Sequence, residues 1–368
     1  MKNYIGLINL DENEDRIREL TRNRPLASIP FGGRYRIIDF ILSNFTNSKI
    51  ENIGLFVKNK SRSLIDHLNN GKPWDLDRKR DGLRVFNFGE ENNVYEDVNT
   101  FAENLEYFKF SKQKYIILAP SYMIGNIDFN EVAKFHEKNN NDITIMYKKV
   151  NNAKNSFINC DVLNIDEQGN IISVGENIGS AKEVNICMEM FVMEKDLFIE
   201  LIYECIKTGR YKKIKKCIYN SVDRFKTKAY EFTGYLACIN SLEAYYKTSM
   251  DLLNPRINTE LFSEKRPIYT KSKDEGPTRY AENSNVLNSI IANGCNIEGE
   301  VENCIISRRV NIQKGSKLKE CVVLPNCVIG KDAKLVNVIT DKYSYIVKGE
   351  ELRGAKNFPL VMERERII

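Results

Sequence analysis

The sequence predicts an α/β fold: a mainly parallel, Rossmann-like sheet with flanking helices, followed by a left-handed parallel β-helix of hexapeptide repeats. Two observations carry this, and a third permits it. Over the first two thirds of the chain, short apolar runs such as Tyr4-Ile5-Gly6-Leu7-Ile8 alternate with amphipathic helical stretches, the signature of βα units. From about residue 284, aliphatic and cysteine positions recur seventeen apart: Val301, Leu318 and Leu335; Cys304, Cys321 and Val338; Ile305, Val322 and Ile339; Val310 and Cys327; Ile312 and Ile329. Gly and Asn turns between such short positions describe stacked coils of roughly three hexapeptides each. A length of 368 residues with 42% apolar residues is enough to fill two cores.

The first forty residues set the frame. A strand over Tyr4 to Ile8 is followed by a loop and a helix. The turn Pro30-Phe31-Gly32-Gly33 then feeds a second helix through Ile37-Ile38-Asp39-Phe40. A phosphate-gripping loop after the first strand needs glycines that let amides close on the anion. This loop instead reads Asn9-Leu10-Asp11-Glu12-Asn13-Glu14-Asp15, whose four carboxylates would repel a triphosphate. Lys49 to Val57 predicts a turn and a second strand, and Ser61 to Leu68 a helix stopped by Gly71. The strand Tyr115 to Ala119 ends at Pro120-Ser121-Tyr122-Met123, where ligands of such sheets bind, yet no carboxylate follows until Asp128.

A helix over Glu131 to Lys138 and a strand over Asp142 to Tyr147 come next. Strands over Val162 to Ile165 and Ile171 to Val174 flank a hairpin turn at Asp166-Glu167-Gln168-Gly169-Asn170, and Ile186 to Met193 reads as a buried strand. Helices are expected over Asp196 to Thr208 and Leu242 to Leu253. The domain reading is residues 1–254, a polar irregular linker at 255–282, and the β-helix at 283–368.

Composition excludes several classes. The net charge of +5 is low for a nucleic-acid binder of this length, and the basic run Arg210 to Lys216 is expected to be a solvated helix face. No run approaches the ~20 apolar residues of a membrane span, and no leader is apparent, so a cytoplasmic protein is expected. Nine cysteines without a CxxC pair fit reduced thiols, with those of the coils packed in the core. His67 and His136 are the only histidines, and both are expected at the surface.

Several motifs carry a family resemblance across nearly the whole chain. They are Pro30-Phe31-Gly32-Gly33-Arg34-Tyr35-Arg36-Ile37-Ile38-Asp39-Phe40 with Leu42-Ser43-Asn44, and Trp74-Asp75-Leu76-Asp77. Glu243-Ala244-Tyr245 with Met250-Asp251-Leu252-Leu253, and Arg266-Pro267-Ile268-Tyr269-Thr270-Lys271, complete the set. The sequence resembles the bacterial ADP-glucose pyrophosphorylases (glucose-1-phosphate adenylyltransferases) of glycogen synthesis, specifically their GlgD-type non-catalytic subunit. The resemblance implies a nucleotidyltransferase domain, and an ancestral reaction joining ATP and glucose 1-phosphate with Mg²⁺ in an acid-rich site.

Most of that site is missing. The family's glycine loop falls on Asp11, Glu12 and Glu14, and its Arg-Ala-Lys-Pro-Ala lysine on Leu26. Its metal aspartates fall on Ser121 and Cys238, its Glu-Lys-Pro lysine on Asn177, and a sugar-site glycine on Glu189. Arg16, Arg24 and Glu176 are retained. The resemblance therefore implies no catalytic residues, no metal and no cofactor. It implies a catalytic adenylyltransferase subunit as partner in a heterotetramer, and neither nucleic acid nor membrane. It also implies a phosphorylated-sugar effector, bound between the family's two domains by a basic residue after Phe-Gly-Gly, here Arg34, with Arg36 beside it. Pairing of both arginines with local carboxylates such as Asp39 is the structural alternative.

Three competing functions remain open to test. An active sugar nucleotidyltransferase with a rearranged site would have to use Asp128, Glu176 and Glu189. A hexapeptide acyltransferase would need a histidine on the coils, which lack one. A stand-alone sensor would bind a sugar nucleotide or effector without a catalytic partner.

Overall fold

The computed structural model describes residues 1–58, 60–87 and 96–368. It falls into two compact units that share the chain unevenly: residues 1–13, 40–238 and 264–269 form one, and residues 14–39, 239–263 and 270–368 the other.

The first unit is built on a nine-stranded sheet. Its strands are β1 (Tyr4–Asn9), β2 (Asn52–Val57), β3 (Gly82–Asn87), β4 (Tyr115–Ala119), β5 (Ile143–Val150), β6 (Asp161–Ile165), β7 (Ile171–Glu176), β8 (Val184–Glu194) and β9 (Thr227–Glu231). The order is β7-β6-β8-β4-β1-β2-β3, with β5 also on β8 and β9 on β5. Strands β4, β1, β2 and β3 run parallel, as βα alternation requires. The sheet as a whole is mixed, because β8 runs antiparallel to β4, β5 and β6. Strands β6 and β7 form the hairpin expected from the Asp166 turn, whose carboxylate accepts from the Gln168 and Asn170 amides.

Ile5, Leu7, Ile116, Leu118 and Phe191 pack with Phe198, Leu201 and Ile202 of the helix Lys195–Thr208 in one core. Packing of the helix Ile38–Asn47 depends on Gly6, where a Cβ would stand 2.7 Å from the Phe45 ring. Both histidines are buried, contrary to expectation. His67 stacks edge-on to Trp74, and His136 shares a 2.9 Å hydrogen bond with Thr144 Oγ1. The partners lie only seven and eight residues along the chain, but a polar ring on a helix carries no apolar signal of its own burial.

The second unit contains the β-helix. Three five-stranded, all-parallel sheets form its faces, and the seventeen-residue period is their register. Val301 pairs with Leu318 and Leu318 with Leu335; Ile305 pairs with Val322 and Val322 with Ile339; Ile312 pairs with Ile329. The turn between Ile297 and Glu300 is two residues shorter, so Val286 pairs with Val301 and Asn296 with Asn311, whereas Arg279 pairs with Asn296 at the full period. Cys295, Cys304, Cys321 and Cys327 line the core beside these aliphatics. The corners repeat too: Asn303, Glu320 and Asn337 all hold left-handed backbone, so each coil turns alike.

Two further pieces join this unit. In the helix Leu242–Asp251, Tyr246 donates to Glu320 O at 2.7 Å, and Tyr245 donates to Pro30 O at 2.8 Å. Of the segment 255–282, expected to be irregular, residues 255–263 and 270–282 belong here and contain the helix Pro255–Leu261, N-capped by Asn254, and the first coil strand Arg279–Tyr280.

Candidate functional site

Parallel strands deliver ligands to their carboxyl ends. Here those ends are Asn9, Val57 and Ala119, aligned by the β1–β2 and β1–β4 registers. The acidic loop after β1 does stand there, but its charges are engaged by the chain itself. Asp11 is ion-paired to Lys58 and, at 3.1 Å, to Lys213. Glu12 Oε1 accepts from the Ser121 amide at 2.8 Å and from its hydroxyl at 2.6 Å. Position 121, where the resemblance implies a metal aspartate, thus carries a hydroxyl that already donates to a carboxylate. Asp97 is buried, accepting from Asn9 Nδ2 at 2.8 Å and Ile214 N at 2.7 Å. Burial, with the Asp11 charge adding, pushes its carboxyl up to about 7. Glu14 belongs to the second unit, where it accepts from the Leu26 amide at 2.6 Å, while Leu26 itself is fully buried. The four carboxylates of the loop are therefore divided between the two units.

The remaining substituted positions have structural work of their own. Asn177 Nδ2 donates to the carbonyls of Ala153, Ser156 and Phe157 at 2.9–3.0 Å, knitting the loop before β6. Cys238 Sγ lies 3.3 Å from Cys160 Sγ, both buried. Burial, and then the Cys160 contact, raises the Cys238 thiol far above its usual range. Glu189 holds left-handed backbone at φ +54°, where the β8–β5 register shifts. Such a conformation costs a non-glycine residue about 1–2 kcal/mol. Its carboxylate meets Lys215 at 2.6 Å, and Lys215 also meets Asp161 at 2.9 Å. Burial disfavours the Lys215 ammonium, but Glu189 and Asp161 together hold its pKa above the ordinary lysine value. The run Arg210 to Lys216 is therefore not a solvated face, since Lys213 and Lys215 point inward to carboxylates.

The carboxylates of a rearranged catalytic site are held separately. Asp128 caps the helix Phe129–Lys138 and pairs with Arg266 at 3.2 Å, Glu176 is exposed at the end of β7, and Glu189 is bound to Lys215. Among the described residues, no three of His, Cys, Asp or Glu gather as a metal site requires. Arg16 is exposed on the turn Asp15–Ile17.

The arginines of the second unit have different surroundings. Gly32 and Gly33, both with positive φ, turn the hairpin Pro30–Phe31/Tyr35–Arg36. Arg34 is exposed, its guanidinium 5.1 Å over the Tyr35 ring. Arg36 donates from Nη1 to Ser28 Oγ at 2.5 Å, and its amide donates to Asp39 Oδ2 at 2.9 Å. Arg24 is buried, donating to Leu20 O at 2.9 Å and to Asp341 at 2.7 Å, and a cleft of about 160 Å³ opens beside this pair.

Three cations that the sequence pattern does not single out join them. Burial, then the Arg36 and Arg24 charges, pushes the Lys342 ammonium down to about 7, with Asp341 opposing and Lys273 adding. Lys273 is lowered by burial and by Arg308, and Arg308 by burial, with Arg34 adding and Glu275 opposing. The fold has gathered more positive than negative charge, which is what an anion site requires. In sequence nothing marks Lys342: it stands at a coil corner whose seventeen-residue equivalents are Arg308 and Pro325, outside the aliphatic series.

Comparisons with known proteins match most of the chain. A nucleotidyl transferase family model matches residues 14–253, and a GlmU-like C-terminal hexapeptide model matches residues 277–355. The glycogen biosynthesis protein GlgD of Bacillus subtilis (strain 168) is 37% identical over 363 residues, covering 98% of this chain and 95% of its own. GlgD of Geobacillus stearothermophilus is 36% identical over 317 residues, covering 85% and 82%. The glucose-1-phosphate adenylyltransferase of Fervidobacterium nodosum is 30% identical over 355 residues, covering 95% and 85%. On its two matched segments and these near full-length relatives, the chain belongs to the nucleotidyl transferase family, among the glucose-1-phosphate adenylyltransferases and GlgD proteins.

Proposed function

We propose that this chain is the non-catalytic, regulatory subunit of a cytoplasmic glucose-1-phosphate adenylyltransferase in glycogen biosynthesis. It assembles with the catalytic subunit in a heterotetramer and modulates its synthesis of ADP-glucose from ATP and glucose 1-phosphate. One observation supports this above the rest: at the ligand end of the sheet, Asp11, Glu12 and Glu189 are bound to Lys58, Lys213, Ser121 and Lys215 of the same chain. Mg²⁺·ATP would have to break these contacts without gaining the carboxylates that coordinate a metal. The regulatory role rests on the cations of the second unit. Arg36 and Arg34, with Arg24, Lys273, Arg308 and Lys342, hold a phosphorylated-sugar effector by charge-assisted hydrogen bonds.

The test is ADP-glucose synthesis with Mg²⁺, ATP and glucose 1-phosphate, by this chain alone and co-expressed with the catalytic homologue of the same genome. The expected result is no turnover alone, and a co-purifying complex whose kinetics or effector response differ from those of the catalytic chain. Robust turnover alone, or no complex, would overturn the reading.

A further inference from the structure

Glu189, at the ligand end, holds its backbone in a conformation that side chains avoid. In the antiparallel β8–β4 pairing Phe191 faces Leu118, so residue 189 lies beyond Ala119, level with the loop that carries Ser121 and Tyr122. Left-handed backbone there turns the side chain inward. Its carboxylate meets Lys215 Nζ at 2.6 Å and faces the half-buried Tyr122. Around it stand Asp161, 2.9 Å from Lys215, 3.6 Å from Lys216 and 3.0 Å from the Tyr219 hydroxyl. Glu189 and Asp161 retain 13% and 10% of their side-chain exposure and Lys215 23%, so the charges balance largely out of water.

Without the Glu189 carboxylate the cluster would hold two ammonium groups, one carboxylate and two phenolic hydroxyls. An ammonium and a hydroxyl donor would then converge on a space the size of one anionic group. Lys and Tyr donors in a partly dry setting are what bind a phosphoryl oxygen. We propose that Glu189 is a tethered anion occupying a latent phosphate site formed by Lys215 and Tyr122, so that this end of the sheet is closed to phosphate-bearing sugars by the chain's own side chain. The inference deepens the non-catalytic reading and rests on it for why closure is retained. Its test uses the isolated chain and a binding readout, so that absence of a mixed complex would count against the subunit role and leave the closure standing.

The experiment compares the full chain with Glu189→Gly, which fits the left-handed backbone, and Glu189→Asn, which tolerates it without the charge. Inorganic phosphate and glucose 1-phosphate are titrated by calorimetry, and melting is followed with and without millimolar phosphate. Because the effector cations also attract anions, every chain carries Arg36→Ala and Lys342→Ala. The expected result is at least tenfold tighter phosphate binding by both Glu189 variants than by the Glu189 chain, abolished by adding Lys215→Met. A variant that is poorly folded without ligand is expected to regain its melting transition in phosphate. Equal binding with and without Glu189, or variants that neither bind phosphate nor are stabilised by it, would overturn the proposal.

Discussion

If an anionic effector binds among the cations of the second unit, Lys342 makes that binding a proton-linked event. Its ammonium is pushed down to about 7 by burial and by the Arg36 and Arg24 charges, with Asp341 the opposing carboxylate and Lys273 a further cation. An anion placed among these groups favours the charged form, so binding is accompanied by proton uptake above pH 7. Affinity is then greatest below pH 7 and is lost as pH rises through it. If the bound state requires the ammonium, about 3% of sites are ready at pH 8.5, and affinity there is about 30-fold weaker than on the acid plateau, or about 2 kcal/mol. Sulfate is the suitable probe, since its charge is constant over this range. Calorimetry in two buffers of different ionisation enthalpy reads both the affinity and the proton uptake, which should approach one at pH 8.5. Without ligand the sign reverses for stability. Between pH 7 and the ordinary lysine pKa the unfolded chain binds a proton that the folded chain does not, so stability rises with pH there. Lys342→Met should flatten both profiles. Sulfate affinity unchanged from pH 6 to 8.5, with no proton uptake, would refute the placement of Lys342 in the site.

Three further outcomes follow from the same geometry. Arg24→Met strands the buried Asp341 carboxylate and should cost about 3–5 kcal/mol in urea denaturation, whereas Arg24→Met with Asp341→Leu should recover most of it; a single variant costing under about 1 kcal/mol would contradict the pairing. Ser121→Asp with Cys238→Asp should leave ADP-glucose synthesis near background, because a carboxylate introduced at position 121 would face that of Glu12; substantial turnover would show that two carboxylates suffice. All nine cysteines are buried, and burial raises thiols such as Cys187, to about 12, and Cys327, to about 11. A colourimetric disulfide reagent at pH 8 should therefore label essentially none until the chain is unfolded, and rapid labelling of the native protein would count against this packing.

The parts of the molecule legible in sequence are those governed by local periodicity. The coil register could be read because each coil repeats the last, so Val301, Leu318 and Leu335 announce one another. Ser121 and Asn177 could be named as positions where the resemblance implies a lost catalytic group, because motifs elsewhere in the chain set the alignment. What those positions do instead could not. Glu12 reaches Ser121 across 109 residues, and Lys215 reaches Asp161 across 54. A charged side chain carries no pattern that names so distant a partner. The inward lysines of the basic run escape the sequence for the same reason, whereas the burial of His67 and His136 escapes it because a polar ring carries no apolar signal. Arg34 and Arg36 are visible beside their glycines, but Lys273, Arg308 and Lys342 enter from a different part of the chain.

The uneven division of the chain has a consequence in time. Residues 14–39 belong with the β-helix, and Arg24 finds Asp341 only 317 residues later. At a synthesis rate of about 5–20 residues per second, that segment waits roughly 15 to 60 s on the ribosome before its partner exists. Meanwhile Leu26 and Ile29, fully buried in the finished protein, have no core to enter. The nascent chain is thus exposed to chaperones and proteases until its last coils emerge. A strain that stalls translation before residue 341 should accumulate a species cleaved first near its N-terminus.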